Sequence, residues 1–103
     1  MIIAKVVGTA VASLKLDALK ASKLLVVRPA DAQGNATGGP FLAVDLVGAG
    51  EGELVMVSQG SSARMAIGHT NGAQSGSTSP ADAAIIGILD SLQYYGEVAF
   101  RKE

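Results

Sequence analysis

The chain has 103 residues, of which 49% are hydrophobic and 17% are charged, with a formal net charge of −1 and no cysteine. This length fits one domain. The lack of cysteine excludes disulfides, thiolate metal sites and a cysteine nucleophile, and the scattered basic residues argue against a nucleic-acid partner. The apolar surplus favours burial of surface between subunits, although a core rich in Val, Ile and Ala is the alternative.

The start of the chain and its apolar runs bear on location. Met1 leads directly into Ile2, Ile3 and Ala4, without the basic region of a signal peptide. The longest apolar runs fall far short of the ~20 residues that span a bilayer. We therefore expect a soluble domain that acts in the cytoplasm.

The first part of the chain predicts two strands and a long turn region. β-branched residues over 2–13 predict a strand, with Gly8 at a bend or bulge. A polar stretch over 17–22 predicts a connection of about one helical turn. The run 23–29 predicts a second strand that ends at proline, and the turn residues of 31–40 predict a long hairpin loop.

The centre of the chain predicts two strands, over 41–47 and 54–58, around a loop rich in glycine. Ser61 is a suitable N-cap for a short helix over 61–66. The Gly/Ser-rich stretch 67–80 has linker composition and predicts a flexible loop insertion.

The end of the chain predicts more β-structure. Residues 79–82 are typical of a single helical turn with proline at its first position. Residues 84–92 predict a fifth strand, and a turn at 94–96 leads to a C-terminal strand over 97–101. Because the strands are short and helix is scarce, we expect one all-β domain over 1–103, a small five-stranded barrel with one or two short helices.

The loop between the two central strands, which we name the glycine loop, consists of Gly48, Ala49, Gly50, Glu51 and Gly52. Glycine is placed where backbone passes close to a phosphate, a neighbouring chain or a narrow pore. A phosphate-binding loop opens a helix, whereas here a strand follows and two glutamates repel phosphate. The composition favours packing against symmetry-related copies or a narrow opening.

Other residues with catalytic or ligand chemistry are isolated in the sequence. Asp45 can act as a base but more often such a residue caps the backbone N–H groups of a loop, and Asp90 is in a similar position. His69 has no neighbouring ligands and predicts an exposed loop histidine rather than a metal site. No catalytic set and no metal site is predicted.

Arg64 is adjacent in the helix to Ser61 and Ser62. It can clamp a carboxylate or carbonyl of a neighbouring subunit, or remain solvated, and the residues do not decide between the two. The two serines lack the Gly-x-Ser-x-Gly setting of a nucleophile.

The central residues resemble the signature of the EutN/CcmL family, the vertex proteins of bacterial microcompartment shells. The matching pattern is Asp45-x-x-Gly48-Ala49-Gly50-x-Gly52-Glu53-x-Val55-x-x-x-x-Gly60-Ser61-Ser62-Ala63-Arg64. The resemblance extends to the first strand over 4–11, the second over 23–27 and the closing pattern over 79–90. The stretch between residues 64 and 80 departs from the family because it is longer and richer in Gly and Ser.

The resemblance implies an OB-like β-barrel that assembles into a cyclic pentamer. Such pentamers close the five-fold corners of carboxysome-like shells whose facets are hexameric proteins, and the vertex role requires neither catalysis nor a cofactor. Because five copies of a loop that converge on an axis need small residues, we predict that the glycine loop lies near the five-fold axis and borders a small pore. We also predict that Asp45, Ser61, Ser62 and Arg64 lie at the subunit interface. The residue types do not decide whether the ring has five or six subunits. They also do not reveal which metabolic pathway the shell encloses.

Two other functions compete with this interpretation. One is an OB-like module that binds a ligand or nucleic acid, against which stand the missing basic groove and stacking aromatics. The other is a small enzyme acting through Asp45 and Arg64, which lacks a convergent acid, base and nucleophile.

Overall fold

A computed structural model describes residues 1–11, 23–70 and 82–102, with the backbone only at residues 64 and 67–70. The predicted polar connection over 17–22 lies outside the described residues, as does nearly all of the helical turn over 79–82. In chain order the elements are β1 (Ile2–Ala10), β2 (Lys23–Pro29), β3 (Phe41–Asp45), β4 (Leu54–Gln59), α1 (Gly60–Thr70), β5 (Ala83–Ile88), β6 (Ser91–Tyr94) and β7 (Glu97–Arg101).

Five strands form a closed barrel in the order β1-β2-β3-β5-β4, in which β4 returns to pair with β1. All neighbouring strands are antiparallel except β3 and β5, which are parallel where Val44 faces Ala84 and Asp45 faces Ile85. The prediction of an all-β, five-stranded OB-like barrel is confirmed. Closure pairs the strand edges that such apolar strands would otherwise expose.

A bulge in β1 allows this strand to curl around the barrel. The register between β1 and β2 shifts between Val6 and Gly8, so Val7 has no direct partner on β2. A bulge bends a strand and increases its twist. The bend predicted at Gly8 is confirmed, and β1 pairs with β4 over residues 2–5 and with β2 over residues 4–10.

The barrel interior is filled by small and medium aliphatic side chains. The larger fully buried ones include Val6, Leu25, Val27, Val55, Val57 and Ile85. A second cluster lies outside the barrel, where Ala63 of α1 packs with Val44 of β3 and Ala84 of β5. The helix therefore packs on the outside of the barrel, mainly against β5 and β4, with Ala63 in the same cluster as Val44 of β3.

The helix α1 differs from its prediction at both ends. It begins at Gly60, so Ser61 lies inside the first turn and is not the N-cap. Gly60 has a φ of 68° and its N–H donates to the carbonyl of Asp82 at 2.8 Å, so Gly60 makes the turn out of β4.

The other end of α1 is at Thr70, so the prediction of a flexible loop is wrong for residues 67–70. A Gly/Ser-rich composition signals flexibility only weakly where a helix already in progress can continue. The rest of that stretch, 71–80, is outside the described residues. Within the described parts of the chain, no helix combines the length and apolarity needed to cross a membrane.

The strand predicted over 84–92 is interrupted, and its second part belongs to a separate hairpin. β5 ends at Ile88, and the N–H of Leu89 donates to the carbonyl of Leu54 at 2.9 Å. β6 then pairs with β7 through a tight turn at Tyr95 and Gly96. The strand predicted over 97–101 is confirmed as β7, and we name the unit the β6–β7 hairpin.

A glycine loop held by two carboxylates

Asp45, the last residue of β3, organises the first half of the glycine loop. Its Oδ1 accepts hydrogen bonds from the N–H groups of Val47 and Gly48, each at 3.1 Å. The N–H of Ala49 donates to both carboxylate oxygens, at 3.2 and 3.0 Å. The interpretation of Asp45 as a loop cap is confirmed. Its carboxylate oxygens accept hydrogen bonds from backbone N–H groups that have no strand partner in the tight turn.

Glu53 closes the second half of the loop in the same way. Its Oε1 accepts from the N–H of Gly50 at 2.6 Å, while its own N–H donates to the carbonyl of Gly50 at 3.2 Å. The N–H of Gly52 donates to the carbonyl of Val6 at 2.8 Å, which ties the loop to β1. From the sequence, Glu53 was expected only to repel phosphate, although a carboxylate three residues after a loop glycine indicates a loop cap.

Glu53 also joins the loop to the end of the chain. Its Oε2 lies 2.7 Å from Nζ of Lys102. The ammonium of Lys102, and then the N–H of Gly50, lower the pKa of Glu53 below its ordinary value of 4.5. The same contact raises the pKa of Lys102 above 10.5. Nothing in the sequence pointed to Lys102, because its partner is far away along the chain.

The glycines of the loop serve different purposes. Gly48 and Gly52 have φ values of 77° and 87°, a region that L residues with side chains rarely adopt. At Gly50, a Cβ would lie 3.6 Å from Oε1 of Glu53, an ordinary van der Waals contact. The fold of a single chain therefore requires glycine at residues 48 and 52 but not at residue 50.

The loop exposes part of its length and buries the rest. Gly48, Gly50, Glu51 and Gly52 are exposed, whereas Ala49 is 2% exposed and packs in the barrel core. The side chain of Ala49 thus anchors the loop to the barrel. The loop N–H groups are taken by carboxylates and β4 follows directly, so the structure contradicts a phosphate-binding use.

The remaining predicted residues lie on α1. Ser61 and Ser62 are exposed on its first turn, and Ala63 beside them packs against the barrel. Arg64 follows on the same helix. Among the residues that the structure describes, no three His, Cys, Asp or Glu side chains come close enough together to hold a metal ion.

A shallow groove of about 470 Å³ lies where the β6–β7 hairpin meets the barrel. Its lining residues are Glu51, Gly52, Glu53, Leu54, Phe100, Arg101 and Lys102. The ring of Phe100 packs on Gly34, where a Cβ would lie 3.2 Å from Cδ1 of the ring. Phe100 and the Lys102–Glu53 ion pair fix the base of the hairpin to the barrel.

The fold and the site define a small OB-like barrel protein with an external helix and a glycine loop held by carboxylates. Residues 1–90 match the family model described as "Ethanolamine utilisation protein EutN/carboxysome". The chain belongs to the EutN/CcmL family, as the signature over 45–64 indicated.

Relatives cover almost the whole chain. The bacterial microcompartment shell vertex protein EutN of Escherichia coli K12 is 40% identical over 102 residues, which are 99% of this chain and 100% of the relative. The carboxysome shell vertex protein CcmL of Synechococcus elongatus is 39% identical over 99% of this chain and 96% of its own length. These names do not favour the alternative of a ligand- or nucleic-acid-binding module.

A solved structure adds the assembly state of one relative. The structure of GrpN from Rhodospirillum rubrum, described as a pentameric microcompartment shell protein, aligns with a TM-score of 0.75 and 39% identity. The alignment covers 91% of this chain and 100% of GrpN.

Proposed function

We propose that five copies of this chain form a closed ring that caps the five-fold vertices of a polyhedral bacterial microcompartment shell. The observation that carries the proposal is similarity along nearly the full length to proteins named as shell vertex proteins, one of them pentameric. The ring lies in the shell, within the bacterial cytoplasm. It meets hexameric shell proteins of the facets and acts as a structural component rather than an enzyme.

The surface of the chain suits a cyclic assembly. A ring built head to tail needs two complementary patches on every subunit. Large apolar side chains are exposed on β1, β3, α1 and the β6–β7 hairpin, at Val7, Leu42, Met65, Tyr94, Tyr95 and Val98. Burial of part of this surface between copies supplies the driving force for association.

Within this ring the glycine loop borders the five-fold axis. Five copies of a loop converging on an axis need small residues where they meet. Gly50 supports this placement, because its own chain would accommodate a Cβ there at 3.6 Å from Glu53. The absence of a side chain at Gly50 is then explained by the neighbouring copies.

The start of α1 contributes to the interface between neighbouring copies. Ser61 and Ser62 are exposed on the first turn, and Arg64 follows them on the same helix. Their hydroxyl and guanidinium groups can bond the neighbouring subunit across the junction. Asp45 contributes through the loop that it holds in shape.

Co-expression with a hexameric shell protein tests the vertex role directly. With the wild-type chain, electron microscopy is expected to find closed polyhedral shells. Without the chain, the same hexamers are expected to give sheets, tubes or shells with open corners. Closed corners in the absence of the chain, or its exclusion from purified shells, would contradict the proposal.

Substitution of Gly50 tests the placement of the loop. Gly50→Trp puts five indoles at the axis and is expected to block the opening or to break the ring, as seen by cryo-electron microscopy of the purified assembly. Gly39→Trp is the matched control, since Gly39 is exposed with open space around it. If Gly50→Trp left both the ring and its opening unchanged, the glycine loop would not lie at the axis.

A further inference from the structure

The β6–β7 hairpin ends in an exposed aromatic tip. Among the described strands, β6 and β7 pair with each other and not with the barrel. Tyr94 is 53% exposed, Tyr95 is 91% exposed, and their ring centroids lie 4.6 Å apart in an edge-on arrangement. Val98 beside them is also exposed. An isolated two-stranded hairpin is only marginally stable in water. Packing of its aromatic tip against another surface would therefore stabilise it.

Tyr95 occupies a turn position whose backbone conformation is unfavourable for a bulky side chain. Tyr95 and Gly96 both have positive φ, at 55° and 80°, as a two-residue type I′ turn requires. Asn, Asp or Gly suit the first of these positions, whereas a bulky residue at positive φ is an outlier. Turn chemistry does not explain Tyr95, and its edge-on contact with Tyr94 leaves 91% of the residue exposed. The exposed ring is therefore free to make a contact outside the chain.

A complementary surface lies on the outer face of the barrel, across β1, β2 and β3. Gly8 pairs with Val26, and Val26 pairs with Leu42. Leu42 is 51% exposed, and Val7, the bulged residue beside Gly8, is 42% exposed. We name Val7, Val26 and Leu42 the outer-face patch.

Two cations and one carboxylate border this patch, since Oε1 of Glu51 lies 4.0 Å from where a Cβ on Gly8 would be. Lys5 of β1 pairs in register with Arg28 of β2, and both are half-buried. Arg28 Nε donates to the carbonyl of Gly38 at 2.6 Å. Like charges directly opposite each other on neighbouring strands are unfavourable, so an anion placed near both is stabilised.

The hairpin tip carries such an anion. Glu97 pairs in register with Tyr94 and is exposed. The tip thus combines aromatic rings with one carboxylate. The outer-face patch combines aliphatic side chains with two cations and the carboxylate of Glu51, so its net charge is positive. The two surfaces match in polarity and in charge.

We propose that the hairpin tip of one subunit docks on the outer-face patch of a second copy, with Glu97 facing Lys5 and Arg28. The inference rests on the proposed pentamer and names the contact that closes it. Tip and patch are different surfaces of one chain, so the contact is head to tail, as a ring requires. Tyr95 fills the role of an aromatic anchor at such an interface.

Two substitutions test the contact, with ring stability measured as the protein concentration at which half of the subunits have dissociated. Tyr95→Asn removes the ring but suits the type I′ turn, so the monomer stays folded by circular dichroism. It is expected to raise the midpoint at least tenfold. Leu42→Thr removes the apolar side chain but introduces a residue that suits a strand, and it is expected to raise the midpoint several-fold. If the two residues touch, the double variant raises it by less than the product of the single effects.

The control is Val11→Thr, because Val11 is a fully exposed valine that is not part of the patch. A midpoint unchanged by Tyr95→Asn, an equal effect of Val11→Thr, or single effects that simply multiply would overturn the inference while the pentamer stands. A variant ring that is intact but no longer joins hexameric shell proteins would assign the tip to that partner instead. A wild-type chain that is monomeric at all concentrations would overturn both the pentamer and the contact.

Discussion

At the residue scale, the shape of the glycine loop is set by side-chain carboxylates that replace absent strand partners. Asp45 and Glu53 together accept from four successive backbone N–H groups, those of residues 47 to 50. Ala49 is the buried member of this set, and a buried N–H without an acceptor is costly. The loop therefore keeps one conformation even though it contains three glycines.

Asp45→Ala is expected to lower the free energy of unfolding by about 1–3 kcal/mol, since hydrogen bonds to a charged acceptor are lost and the N–H of Ala49 is left buried. Asp45→Asn keeps one acceptor oxygen and is expected to cost less. Urea unfolding at one fixed protein concentration measures both, because assembly also contributes to stability. Equal stability of Asp45→Ala and wild type would mean that the carboxylate does not hold the loop.

Glu53 gives the protein a predictable acid sensitivity. Its pKa in the folded state is lowered by Lys102 and Gly50, so its contribution is present above the ordinary value of 4.5 and is lost as pH falls through the folded pKa. The wild type is therefore expected to exceed Glu53→Gln in unfolding free energy at pH 6, with the difference shrinking toward pH 3. A difference that is constant across this range would show that the ion pair makes no contribution.

At the element scale, the local patterns predicted the strands better than their boundaries and connections. The run 23–29 is β2 as predicted, and the bulge at Gly8 followed from a glycine within a β-branched run. The break after Ile88 was missed, because the apolar run continues through Leu89, and Leu92 follows Asp90 and Ser91 closely. The N–H of Leu89 still bonds the carbonyl of Leu54 at the start of β4, and the chain then leaves the barrel at Asp90 to form β6.

The attachment of the β6–β7 hairpin gives a prediction at this scale. Phe100→Ala removes the ring that packs on Gly34 and is expected to cost about 1–2 kcal/mol. Amide exchange in β6 and β7 is expected to accelerate while the barrel amides stay protected. Gln93→Ala on β6 is the control, since Gln93 is exposed and is assigned to no subunit contact. Uniform acceleration in both regions would mean that hairpin and barrel open together.

At the scale of the whole molecule, the sequence predicted the barrel and the family but not the contacts that close the loop and the hairpin. The signature over 45–64 identifies the family because glycines and carboxylates stand there at fixed spacing. The partnership of Glu53 with Lys102 depends on how the chain end crosses the barrel, and no local pattern encodes it. The outer-face patch likewise emerges only when the registers of β1, β2 and β3 are known.

The central claim is the closed ring of five subunits, and native mass spectrometry of the purified chain tests it most directly. The account predicts a dominant species with five times the subunit mass, stable on dilution to micromolar concentration. A monomer at every concentration would contradict the claim, and so would a ring with another number of subunits, because only five-fold symmetry fits the vertex of a polyhedral shell.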